Sequence, residues 1–292
     1  MNDLPAQDTR DQAKAARPAP TTIPAIDVSR LTVEAQPVAR AAAEVYLRHT
    51  TPWFVGLVAH GSALKGGIIP GCSDVDLQLY LTPAAFSEDG ALPLSLGIAI
   101  QRELARIPLG PFQYIQGFAW PSRLPDGFVG PIPGAYAVVA GRLPMPEATV
   151  DDVLAAARKA LDALNPLPPS LPAGLLDFGQ RRLEGRVRYL CTDVWPLLYQ
   201  TLTMRAADDP LAVWRLPKPE AIALLPAETA PGRAIRAFYD AVWAYYAPGA
   251  ATGQVGTTEQ ALTILERGVA FRQAVMEWWL AFRDIAPAQS PA

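Results

Sequence analysis

Cysteine and histidine are scarce in this chain, with two of each among 292 residues. Cys72 and Cys191 are too few for a disulfide framework, so a reducing cytoplasmic setting is expected. His49 and His60 stand in no HExxH pattern, and no paired CxxC occurs. A histidine- or thiolate-based zinc site is therefore not expected. A basic excess is also missing: Lys and Arg number 25 against 28 Asp and Glu, for a net charge of −3. General nucleic-acid binders carry such an excess, so nucleic acid is not an expected partner. No apolar run reaches the roughly 20 residues of a membrane-spanning helix, so no membrane partner is expected. Residues 1–17 are polar and charged and lack the apolar stretch of a secretory signal. Neither a Walker A sequence nor GxGxxG occurs, which leaves P-loop and Rossmann readings without support.

What is present argues for a folded chain. Half the residues are hydrophobic and only 18% are charged, outside the composition of disordered proteins. The length fits one large domain or two ordinary ones. Residues 1–30 are rich in Ala, Pro, Thr and charge and read as a mobile arm, and residues 286–292 read as a tail. Helical spacing covers Leu31–Thr50. Short apolar runs predict strands at Phe54–Ala59, Phe112–Trp120 and Ala135–Gly141, with a helix at Leu94–Ile107. Ser73–Leu81 alternates cleanly. Val75, Leu77, Leu79 and Leu81 share one face, and Asp74, Asp76, Gln78 and Tyr80 the other. The second half changes character. Helical periodicity runs through Val150–Leu164, Leu175–Met204, Lys218–Leu225, Ala230–Tyr246 and Thr257–Phe282, and the proline-rich stretch Pro166–Pro172 reads as a stiff spacer. The expected fold class is α/β followed by α: a small mixed-sheet domain over residues 31–145, then a helical bundle over 146–285.

Phe54–Leu81 carries the chemistry. A buried strand ends in His60-Gly61-Ser62, and Ser73-Asp74-Val75-Asp76-Leu77 follows after a short glycine-rich gap. Gly61 permits close backbone approach, and Ser62 offers a hydroxyl and an N–H to phosphate oxygens. A helix starting at Ser62 would add free N–H groups to that anion site. Asp74 and Asp76, two apart on a strand, have Cα atoms roughly 7 Å apart on one face. Both carboxylates could reach one hard cation or two neighbouring ones. Oxygen ligands completed by substrate phosphates are the usual way to hold Mg²⁺.

The order of hydrophobic strand, Gly-Ser, about ten residues, then Asp-hydrophobic-Asp on a second strand resembles the nucleotidyltransferase superfamily. That superfamily includes DNA polymerase beta and the aminoglycoside nucleotidyltransferases. A small α/β domain followed by a helical domain is similar to the two-domain aminoglycoside enzymes. The resemblance implies Mg²⁺ as cofactor and ATP, or another nucleoside triphosphate, as substrate. It implies transfer of a nucleoside monophosphate to a hydroxyl of a small-molecule acceptor such as an aminoglycoside. Asp74 and Asp76 would be the catalytic metal ligands. Gly61, Ser62 and Ser73 would bind nucleotide phosphates. Lys218, opening a helix in the second half, matches the place of a phosphate-contacting lysine in that group.

One feature departs from the family pattern. A third acid usually stands on a later strand of the sheet, and Phe112–Ala119 offers only Gln113 and Gln116 there. Glutamine cannot act as a base. Glu184 and Asp126 are the substitutes at hand. The gap keeps two other readings open: a catalytically impaired nucleotide-binding protein, and a transferase acting on a protein or RNA. His60 reads as a packing residue, and Lys65 stands near the phosphates or in solvent. Cys72 has no base partner. Trp195, Trp214, Trp243, Tyr245, Tyr246, Trp278 and Trp279 read chiefly as helix packing. Arg181, Arg182, Arg186 and Arg188 form either a solvated face or one turned toward the nucleotide.

Overall fold

A computed structural model describes residues 24–285 except 123, 125–127, 169, 178 and 207. The first part of the chain builds a four-stranded mixed sheet in the order β3-β2-β1-β4. β1 (Phe54–His60) lies between β2 (Val75–Leu81) and β4 (Tyr136–Gly141) and is antiparallel to both. β3 (Ile115–Pro121) runs parallel to β2 at the edge. Parallel neighbours need a crossover, and the connection between β2 and β3 contains the helix α3 (Leu94–Leu104). Helix α1 (Ala35–Thr50) packs with α3, and Glu103 of α3 pairs with Arg48 and His49 of α1.

The alternation in β2 determines which face does what. Val75, Leu77, Leu79 and Leu81 are buried in one core with Leu57 and Ala59 of β1 and Val38, Ala42 and Tyr46 of α1. Asp76 and Gln78 face the other way. The N-terminal stretch expected to be an arm as far as residue 30 joins the sheet earlier. Ile26 bridges to Ala140, the N–H of Asp27 donates to the Val139 carbonyl, and Val28 is buried. Residues 1–23 and the tail 286–292 lie outside the described residues.

The second part is helical: α4 (Val150–Asp162), α5 (Ser170–Gly174), α6 (Gln180–Arg205), α7 (Lys218–Ala223), α8 (Ala230–Tyr246) and α9 (Thr258–Ile285). These helices share a second core around Leu190, Val194, Leu198, Phe238, Val242, Ile264 and Phe271. Ile69 and Cys72, from the loop between β1 and β2, belong to this helical core. The helix expected from Leu175 starts at Gln180, because Gly179 takes φ +135° and breaks the run. The spacer expected at 166–172 holds the start of α5. The strand expected from Phe112 starts at Ile115. Among the described residues, no helix is long and apolar enough to cross a membrane.

Candidate active site

The second face of the sheet meets the helices across a cavity of about 460 Å³, within the ~300–1,000 Å³ range of small-molecule sites. β1 contributes Val58 and His60, β2 contributes Asp76 and Gln78, and β3 contributes Gln116. Gly61, Ser62 and Lys65 come from the turn and the four-residue helix α2 (Ser62–Lys65). Arg188, Trp195 and Tyr199 come from α6, and Lys218 from the start of α7.

All six residues expected at the site, Gly61, Ser62, Ser73, Asp74, Asp76 and Lys218, line this one cavity. Gly61 has φ +71°, and a Cβ there would stand 2.3 Å from Oδ2 of Asp76. The turn and the carboxylate are therefore in direct contact, and only glycine fits. Ser62 is buried, and its hydroxyl lies 3.5 Å from the Asp74 carbonyl. The Ser73 hydroxyl accepts the Ile69 N–H at 2.9 Å, so it closes the glycine-rich loop. Asp74 sits just before β2 rather than within it. Gly67 takes φ +66° against Pro217, Pro219 and the Lys218 backbone, which seats the Lys218 segment on the loop.

The electrostatics follow from burying charge of both signs. Burial and the neighbouring Asp74 carboxylate raise the Asp76 pKa well above the usual carboxylate range, although Lys218, Arg188 and Lys65 oppose the shift. Burial and Lys218 push the Lys65 ammonium down to about 7, against the pull of Asp76. Lys65 Nζ lies 3.9 Å from the centroid of the Tyr199 ring, and Lys218 Nζ lies 5.6 Å from that of Trp195. Burial pushes the His60 imidazole down to about 4, so it is neutral at pH 7. Its Nε2 is buried without a hydrogen-bond partner among the described residues.

Arg188 is the one of the four arginines noted in the sequence that faces the site. Its Nη2 is 3.0 Å from Oδ2 of Asp74 and donates to the Tyr114 hydroxyl at 2.6 Å. Its Nη1 donates to the Cys72 carbonyl, and the guanidinium lies over the Tyr114 ring at 4.7 Å. Of the five arginines on this helix only Arg188 lines the cavity. Arg181 and Arg182 are exposed, and Arg186 lies 3.9 Å from Asp177. Among the aromatics, Trp195, Tyr199 and Trp214 line the cavity, while Tyr245, Tyr246 and Trp279 are buried in the helical core.

The departure at the third acid is borne by the register. Gln116 is the direct β3 partner of Asp76. Neither Gln113 nor Glu184 lines the cavity, and Asp126 lies outside the described residues. Among the described residues, no group of three or more His, Cys, Asp or Glu is placed to hold a metal. The two carboxylates still fit one divalent cation. Each faces the same cavity, and burial first, then the neighbouring Asp74 carboxylate, raises the proton affinity of Asp76, a cost to its charged form that a bound cation would relieve. Compared with protein-family models and with curated proteins, the chain matches none.

Proposed function

We propose that this protein is a nucleotidyltransferase: it binds a nucleoside triphosphate with Mg²⁺, ATP foremost, and moves the nucleoside monophosphate to a small-molecule hydroxyl. One observation carries the reading. The Gly61-Ser62 turn, the Asp74 and Asp76 carboxylates, and the Lys65 and Lys218 ammonium groups converge on one cavity. Asp74 and Asp76 would hold Mg²⁺, which when bound neutralises triphosphate charge and assists in-line displacement. The acceptor oxygen forms a bond to the α-phosphorus as the bond from that phosphorus to the bridging oxygen breaks. The bonding electron pair leaves on pyrophosphate, and the hydroxyl proton passes to water. Lys65 and Lys218 offer positive charge to the phosphates. Lys65, destabilised as an ammonium by its burial, regains favourable interaction when an anion arrives.

The charge of the cavity bears on the acceptor. Among the described residues, its charged side chains are the cations Lys65, Arg188 and Lys218 and the carboxylates Asp74 and Asp76. Gln78, Gln116, Phe128 and Tyr136 supply amide, aromatic and hydroxyl surface beside them. This lining supports an uncharged hydroxylated acceptor over a polycationic aminoglycoside.

A second reading, nucleotide binding without turnover, is favoured by Gln116 standing beside Asp76 where a base is wanted. Loss of a general base costs about 10²–10⁴-fold. Pyrophosphate release from Mg·ATP, measured against neutral sugars and polyols and against aminoglycosides, separates the readings. Acceptor-dependent release that disappears in Asp76→Asn supports transfer. Mg·ATP binding without release against any acceptor supports the second reading. Absence of Mg·ATP binding overturns both.

A further inference from the structure

We infer that Arg188, acting with Tyr114 and Gln116, stands in for a second divalent cation, so that the site takes a single metal ion together with its nucleotide. The inference rests on the nucleotidyltransferase reading and specifies how that site handles metal.

Two-metal sites hold their ions about 3.5–4 Å apart, bridged by shared carboxylates. Such an arrangement needs carboxylate oxygens that are free and numerous. This cavity has two carboxylates among its described residues. One oxygen of the first, Oδ2 of Asp74, is engaged by Arg188 at 3.0 Å. The place beside the second, Asp76, is taken by the neutral Gln116. The Gln116 side-chain oxygen is itself occupied, accepting from the Tyr114 hydroxyl at 2.9 Å. That hydroxyl in turn accepts from Arg188 at 2.6 Å. One network thus runs from Asp74 through Arg188 and Tyr114 to Gln116, the β3 partner of Asp76.

The guanidinium is not loosely placed. It is held by the Cys72 carbonyl, by Asp74 and by the Tyr114 ring, and its side chain is only 16% exposed. Arginine keeps its charge at any physiological pH. A second divalent ion beside it would face repulsion with too few oxygens to offset it. The two carboxylates supply two negative charges. Arg188 and one divalent ion already exceed that by one, leaving a net positive site for the triphosphate.

Counting bound Mn²⁺ by electron paramagnetic resonance, with α,β-methylene ATP present, reads this directly. The wild-type protein is expected to bind one nucleotide-dependent Mn²⁺ per chain. Arg188→Lys, which keeps a cation near Asp74, is expected to keep the count at one. The double variant Arg188→Met with Gln116→Glu, which frees Asp74 and adds a carboxylate, is expected to bind two. A purely structural Arg188 would lower the melting temperature on substitution without changing the count. A wild-type count of two overturns the inference without recourse to any variant. A folded, nucleotide-bound double variant that stays at one also overturns it. A wild-type count of zero removes the nucleotidyltransferase reading beneath it.

Discussion

Gly61 and Asp76 are matched at the level of single atoms. A Cβ at Gly61 would fall 2.3 Å from the Asp76 carboxylate, and φ +71° disfavours any other residue. Gly61→Ala is therefore expected to destabilise the fold by about 1–3 kcal/mol and to weaken Mg·ATP binding at least ~10-fold by displacing Asp76. Melting curves and equilibrium binding on the same variant check both effects. These residues were legible in the sequence, because a Gly-Ser turn and an alternating strand announce themselves locally. Arg188 and Tyr114 were not. Nothing local distinguishes Arg188 from Arg181, Arg182 and Arg186, and its role depends on a loop and a strand far away in the chain. The Gln116 departure was visible as a missing acid. Its placement directly beside Asp76 needed the sheet register.

Among the secondary-structure elements, periodicity recovered the strands and long helices and misplaced several ends. β2 was clear because one face is packed in the core while the other lines the cavity. The start of α6 was placed too early, since apolar spacing continues through Gly179 although its backbone cannot stay helical at φ +135°. Pro196 sits inside α6 and lacks an N–H for the Thr192 carbonyl, and both residues line the cavity. The packing of the helices relies on Arg272 of α9. It is buried, reaches Asp193 of α6 at 2.5 Å, and donates to the Asn165 and Pro166 carbonyls beyond α4. Arg272→Met leaves these acceptors without their donor and is expected to cost about 2–4 kcal/mol of stability. Urea unfolding should move the midpoint accordingly, while Mg·ATP affinity in the folded protein stays within about twofold.

Over the whole molecule, the site depends on two cores meeting. The sheet core fixes the carboxylates and the Gly-Ser turn, and the helical core fixes Arg188, Tyr199 and Lys218. The loop between β1 and β2 joins them, with Ile69 and Cys72 buried among the helices and Gly67 against the Lys218 segment. The sequence separated an α/β part from a helical part, and the resemblance set Lys218 of the second with the phosphate-binding turn of the first, but which other residues close the cavity needed the structure. Contacts between distant segments leave no periodic trace. The proposed Mg·nucleotide site is built by both parts. Equilibrium binding of ATP with and without Mg²⁺, in the wild type and in Asp76→Asn, tests that claim most directly. Binding that depends on Mg²⁺ is expected in the wild type, with a loss of that dependence in the variant. No ATP binding, or binding indifferent both to Mg²⁺ and to Asp76→Asn, would contradict it.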